Sequence, residues 1–175
     1  QDFEDLELII VDDHSKDNSV KIIKSYQNNN DRIRTVFHDK NMGIAKTLND
    51  GIDAAKGKFI AFIASDDIWL ESKLKKQLSV LSSNEDLVVW SEGEVIDGRS
   101  IPTGVTFTQK HAASRRKRSG DIFEDLLCGN YIFHSSLMVK KENIGDSKFD
   151  LYLKYLNDYR FMIDLAKKYK YYFIQ

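Results

Sequence analysis

The stretch Lys58 to Asp67 reads KFIAFIASDD. After its leading lysine come six apolar residues, among them two phenylalanines and two isoleucines. A run this short, apolar on both alternating faces, reads as a strand buried on both sides, as in parallel sheets. It stops at Ser65-Asp66-Asp67. Beyond it, Leu70, Leu74, Leu78 and Leu81 recur at helical spacing, with Lys73, Lys75 and Lys76 outside that face. A buried strand leading into a helix is the repeating unit of an α/β sheet.

The same unit recurs upstream. Leu6 to Val11 (LELIIV) is a second buried strand, and it too ends in paired carboxylates, Asp12-Asp13, before His14-Ser15. Val20, Ile23 and Tyr26 mark a helical face that stops at Asn28-Asn29-Asn30. Arg32 to His38 alternates as a strand, Asn41-Met42-Gly43 is a loop, and Ile44, Leu48, Ile52 and Ala55 give a helix closed by Gly57. The expected strands are Leu6–Val11, Ile33–Phe37, Phe59–Ile63 and Leu87–Trp90. After Trp90 the pattern loosens. Val95 to Thr108 reads as strand and turn, and the basic stretch His111 to Arg118 as a surface loop. Ile122, Phe123, Leu126 and Leu127 suggest a short helix, and His134 to Val139 a strand. Tyr159, Met162, Ile163, Ala166 and Tyr169 mark a last helix, followed by a strand over Tyr171–Ile174. The fold expected is one α/β domain over 1–175, with a mostly parallel sheet covered by helices on both faces.

Composition narrows the function classes. The 26 basic and 27 acidic residues nearly cancel, so nothing favours a nucleic-acid partner, which draws a basic surface. The single cysteine, Cys128, cannot form an internal disulfide, which fits a reducing, cytoplasmic compartment. No apolar run approaches the roughly 20 residues that span a bilayer. No zinc-type His/Cys spacing and no Walker-type phosphate loop is present.

The chemistry concentrates at the two acidic strand ends. In open α/β sheets, ligands bind beyond the carboxyl ends of the strands. Two carboxylate pairs facing one crevice would repel, and a divalent cation or ligand hydroxyls would relieve that. Mg²⁺ takes one or two protein carboxylates and fills its remaining positions with phosphates and water. A diphosphate leaving group needs such neutralisation as its bond breaks. Either pair taken alone is equally well read as turn chemistry or helix capping.

In order along the chain, Leu8 to Ser19 (LIIVDDHSKDNS) resembles the VDDGSxDxS motif of the inverting family-two glycosyltransferases, which have a Rossmann-like GT-A fold. Asn41-Met42-Gly43 with Asn49 and Gly51 resembles that family's NxG…NxG segment, and Gly57 to Asp67 its GxYIxFLDxDD segment. The resemblance implies transfer of a sugar, with inversion, from a nucleotide-diphosphate donor, of the UDP-sugar type, to a hydroxyl on a glycan or lipid-linked acceptor, as in bacterial surface polysaccharide synthesis. It implies a nucleotide-sugar half over 1–92 and an acceptor half over 93–175. Asp13 matches the residue that reads the donor base, and Asp12 and Asn41 accompany it. Asp66 and Asp67 match the acidic motif that holds the ribose and a Mn²⁺ or Mg²⁺ ion, with the split between them open. Asp158, in Asn157-Asp158-Tyr159, matches the general base. A peripheral association with the inner face of the membrane is a further expectation, for which the basic run Arg115 to Arg118 could receive a lipid phosphate.

Four positions depart from the family pattern. Ala64 replaces the first acidic residue, Asn157 a glutamate, His14 a glycine, and Leu48 an arginine. The family also starts with a central strand that is missing ahead of Gln1, so the chain is expected to be a fragment. These departures leave a second reading, a non-catalytic relative that binds sugar nucleotides. A phosphorylation-receiver domain is a third, since IIVDDH would suit its acidic pocket. It lacks the proline-containing loop after Asp66. The run Arg115 to Arg118 reads as a solvated loop or a phosphate-receiving patch. His134 reads as a satisfied, partly buried histidine, and Cys128 as a helix-end core residue.

Overall fold

The computed structural model describes residues 1–175. The strands are β1 (Leu8–Asp12), β2 (Ile33–Phe37), β3 (Phe59–Ala61), β4 (Leu87–Ser91), β5 (Glu94–Ile96), β6 (Pro102–Thr106), β7 (Met138–Lys140) and β8 (Lys170–Ile174). The helices are α1 (Ser19–Gln27), α2 (Ile44–Ala54), α3 (Lys73–Leu81), α4 (Phe107–Lys110), α5 (Phe123–Leu127), α6 (Lys141–Ile144) and α7 (Asn157–Ala166).

β4 is the middle of the molecule. Val88, Val89 and Trp90 are all fully buried, as a strand covered on both faces requires. Because side chains alternate across a strand, Val88 and Trp90 join the large core with Ile60, Leu137, Val139, Phe161 and Leu165. Val89 points the other way, to Leu74, Leu81 and Met138 beneath α3. The Trp90 indole keeps a partner while buried, donating to the Arg118 carbonyl at 2.9 Å.

Two hydrogen-bonded sheets carry the α/β architecture. One is the parallel pair β1–β2. The other has the order β3-β7-β4-β8. The β5–β6 hairpin stands apart from both. The expected class stands, but the expectation of a mostly parallel sheet needs correcting at β7. That strand runs antiparallel to both β3 and β4, while β4 and β8 are parallel.

Several element bounds also shift. His134 to Ser136 is a turn of 3-10 helix, so only the end of the expected strand pairs. Phe59–Ile63 pairs only as far as Ala61. Leu70 lies outside α3 and is 81% exposed. Cys128 caps α5 on the surface and is not in the core. Arg118 leaves the basic loop to pair with Glu92 at 3.5 Å and to lie over the Phe173 ring. No helix is long and apolar enough to cross a membrane.

Candidate active site

The two acidic pairs have different local fates. Asp12 is buried, and its Oδ1 accepts the Ser15 amide at 3.0 Å. That is the turn chemistry its position allows. The turn passes through His14 at φ +67°, a left-handed conformation that glycine adopts without strain and a histidine does not.

Asp13 reaches across to the loop before α2. Its Oδ1 accepts the Met42 amide at 2.7 Å and the His38 Nδ1 at 2.8 Å, and its Oδ2 accepts the Gly43 amide at 2.8 Å. Gly43 holds φ +85° as α2 begins, which a side chain would strain. A carboxylate has about four lone-pair sites, so Oδ2 has one left. Asn41, beside this loop, is exposed. Asn49 is buried, and its amide both donates to and accepts from the Phe149 backbone, at 2.8 and 2.9 Å. It ties α2 to the segment leading to α7.

His38 bridges Asp13 and Asp50, at 2.8 and 2.9 Å, and Lys46 also pairs with Asp50. The Asp13 hydrogen bond raises the imidazole pKa above its usual 6.5. Burial opposes that shift, and Asp50 adds to it. Burial pushes Asp13 up, but the Met42 amide, His38 and the Gly43 amide together hold it below the usual carboxylate range. The signs fix a pH window. The raised His38 contributes fully below its unfolded pKa of about 6.5 and loses the contribution as pH rises through the higher folded value. The lowered Asp13 contributes above about pH 4 and loses it as pH falls through its folded value. His38→Gln is therefore expected to destabilise by about 1–2 kcal/mol near pH 5.5. The deficit should shrink above neutral pH. Melting curves of both proteins from pH 5 to 9 check this, and a pH-independent difference would refute the ionic bridge.

Asp66 and Asp67 follow β3 in an exposed turn and line a cleft of about 600 Å³. Gly93, residues of the β5–β6 hairpin up to Ser100, Phe107, Lys110 and Phe133 complete its lining. Gly93 is required there, because a Cβ would come within 2.7 Å of the Phe133 ring. Glu94 and Asp97 add two more carboxylates, and Lys110 is the one cation on the lining. Glu94 and Asp97 are engaged by hairpin amides of Gly104, Arg99 and Ile101. Asp67 Oδ2 accepts the Ser135 hydroxyl at 2.5 Å, and Asp66 is exposed.

Asp13 does not line this cleft, and neither does Asp158. Asp158 stands half-buried in the first turn of α7. Burial pushes the His134 imidazole down to about 4, against the pull of the Asp158 charge. His134 packs on Phe62 with ring centres 4.7 Å apart, and its Nε2 is buried without a partner. It is thus neutral, and not fully satisfied as expected. His134 is the neighbour in sequence of Ser135, which holds Asp67.

No group of three or more His, Cys, Asp or Glu side chains gathers to hold a metal. The chain therefore offers no closed metal cage. Mg²⁺ usually takes one or two protein carboxylates and completes its shell with phosphate and water, and two adjacent carboxylates on an open cleft fit that requirement.

A mixed α/β domain with acidic turns after its strands and a cleft beyond β3 is the architecture of nucleotide-sugar-dependent transferases of the GT-A type. The chain belongs to glycosyl transferase family 2, whose family model matches residues 1–142. It is 29% identical over 170 residues to an uncharacterized glycosyltransferase of Haemophilus influenzae, covering 97% of this chain and 64% of that protein. It is 34% identical over 101 residues to the Escherichia coli protein WfgD, a UDP-Glc:alpha-D-GlcNAc-diphosphoundecaprenol beta-1,3-glucosyltransferase, covering 58% of this chain and 39% of the other. Its fold is that of Staphylococcus aureus TarS in complex with UDP, at a TM-score of 0.73 and 22% identity, covering all of this chain and 54% of that one. The chain thus spans under two thirds of each of these proteins. Family membership sets aside the receiver reading.

Proposed function

We propose that this domain transfers a sugar, with inversion, from a UDP-sugar to a hydroxyl of a glycan or lipid-linked acceptor, with Mn²⁺ or Mg²⁺ on the donor diphosphate. The observation that carries the reading is the cleft beyond β3, where Asp66 and Asp67 face a volume of about 600 Å³. A diphosphate entering this acidic lining is repelled unless a cation accompanies it. When bound, the cation neutralises charge on the leaving diphosphate.

The chain's own residues do the rest. The spare lone pair on Asp13 Oδ2 accepts the imide N–H of a uracil, with Asp12 and Asn41 shaping the loop around it. Asp66 and Asp67 hold the ribose and the cation. Asp158 takes the proton from the acceptor hydroxyl as its oxygen forms the new bond to the anomeric carbon. The bond to the diphosphate breaks on the opposite face, which inverts the configuration. Donor recognition falls to 1–92 and acceptor recognition to 93–175. The acceptor class draws support from WfgD's lipid-diphosphate substrate and from exposed Leu151, Tyr152, Tyr155 and Leu156 beside Lys154, just ahead of α7. Such a surface suits a membrane interface.

A thermal-shift panel of nucleotide sugars, with and without Mn²⁺, tests the reading on full-length protein. Saturating UDP-sugar with Mn²⁺ is expected to raise the melting temperature by about 2–8 °C, with guanosine and cytidine analogues weaker. No response to any nucleotide would overturn the proposal.

A further inference from the structure

The direction of β7 places one buried residue against the acidic turn. β3 and β7 pair antiparallel with Ala61 opposite Met138 and Phe59 opposite Lys140. Continuing that register past the last ladder pair sets Ala64 opposite Ser135. The contacts agree. The Ser135 hydroxyl accepts the Ala64 amide at 3.0 Å and donates to Asp67 Oδ2 at 2.5 Å. The Ser135 carbonyl accepts the Trp69 indole at 2.7 Å. One side chain and one carbonyl thus hold the segment before, at and after the Asp66-Asp67 pair.

The segment's other ties include the Asp67 amide on the Ala64 carbonyl at 3.2 Å and, at its two ends, Phe62 packed on Phe149 and Phe161 and Trp69 beneath Lys73. Residues 63–66 are exposed, and no strand or helix covers 62–70. Ser135 itself is 1% exposed and cannot follow solvent. Its own position is set next door, where the Gln77 side chain donates to the Ser136 carbonyl at 2.7 Å from the buried face of α3. A hydroxyl supplies one donor and two acceptor sites. Here the donor is committed to Asp67 Oδ2, which fixes the carboxylate's rotation and leaves Oδ1 as the oxygen not bound to Ser135.

We infer that Ser135 is a positioning residue for the acidic turn, orienting Asp67 for the cation and diphosphate through the hydroxyl bridge to Ala64 and Asp67. The inference rests on the metal-assisted reading of the cleft. It adds a residue from the 93–175 half to a donor site otherwise built from 1–92. Residues that orient a metal-binding carboxylate change metal affinity by roughly 10- to 100-fold when lost.

The test is calorimetric titration of UDP into full-length protein, with Mn²⁺ and with chelator. Ser135→Ala should lower the Mn²⁺-dependent UDP affinity about 10-fold and leave the affinity in chelator unchanged. A melting curve close to wild type shows that the fold survives. Ser135→Thr, which keeps the hydroxyl, should restore most of the Mn²⁺ effect. In an Asp67→Ala background, Ser135→Ala should cost nothing further, because the two act as one unit. A wild-type protein that responds to Mn²⁺ alongside a Ser135→Ala variant that responds equally would overturn the positioning role alone. Full additivity of the two substitutions would do the same. Wild-type indifference to Mn²⁺ would overturn the metal-assisted reading, and this role with it.

Discussion

Asp158→Asn is expected to lower turnover by roughly a hundred- to ten-thousandfold, with donor affinity almost unchanged. The substitution keeps the shape of the side chain and removes its basicity. A lost base acts on the transition state, so kcat should fall while donor binding does not. The local structure holds this residue firmly. Asn157, Phe161, Met162, Leu165 and Ala166 form the buried face of α7. The Tyr159 hydroxyl donates to the Leu126 carbonyl, and the Tyr171 hydroxyl to the Met162 carbonyl at 2.8 Å. Leu156 enters the helix at φ +59°, a conformation that is an outlier for a bulky residue and one that sharply redirects the chain just before Asp158. Asp158 lies in the first turn of α7, where a helix end attracts negative charge. The neighbouring His134, pushed down to about 4, is uncharged at neutral pH and does not neutralise it. Asp164 on the same helix is the control. It is paired with Arg160 and Lys167 at 2.6 and 2.7 Å, so Asp164→Asn should alter melting and spare turnover. Steady-state kinetics of the three proteins decide the matter, and normal turnover in Asp158→Asn would move the base elsewhere.

How far the sequence shows this site depends on which half of the chain is read. The strands β1, β2, β3 and β4 begin or end within about two residues of expectation, because each is a short apolar run between polar turns, where hydrophobic periodicity is strongest. Asp12 closes β1, Asp13 follows it, and Asp66 and Asp67 lie in the turn past β3, so their placement beyond apolar runs was legible too. The direction of β7 was not. Periodicity marks a strand but carries no sign for its direction, and HSSLMV gives no hint that its first half is a turn. The cost of that gap was Ser135, whose contact with Asp67 exists only because β7 runs antiparallel to β3. A serine beside another serine in an apolar run was the available signal, since a buried hydroxyl needs a partner. Glu94 and Asp97 were missed for a similar reason. They sit in a partly exposed hairpin, and only the fold brings that hairpin to the cleft that Asp66 lines. His38 lay unremarked at the end of an expected strand, because its two partners, Asp13 and Asp50, are 25 and 12 residues away.

The second large effect concerns the carboxylates themselves, and it should change sign with the metal. With Mn²⁺ present, Asp67→Ala or Asp66→Ala is expected to weaken UDP binding by about a hundredfold, the upper end of what loss of a supporting residue costs. In chelator the same substitutions should leave affinity equal to wild type or slightly better. The reason is the charge of the cleft. Asp66, Asp67, Glu94 and Asp97 face Lys110 alone, so a diphosphate arriving without a cation meets like charge. Two unit charges about 4 Å apart at a protein surface interact by about 4 kcal/mol at an effective dielectric of 20, and salt screening reduces this in an open cleft. Removing one carboxylate relieves part of that repulsion. With the cation present, the same carboxylate is a ligand, and its loss is a loss of attraction. A purely structural role for Asp67, as a turn residue tied to Ser135, predicts something different. It would loosen the turn in both conditions and weaken UDP binding by a similar factor with and without Mn²⁺. Titrations of UDP into wild type and both variants, in Mn²⁺ and in chelator, therefore separate the two roles by the sign of the metal-free effect. Equal losses in the two conditions would leave Asp66 and Asp67 as turn chemistry and would remove the cation from the mechanism.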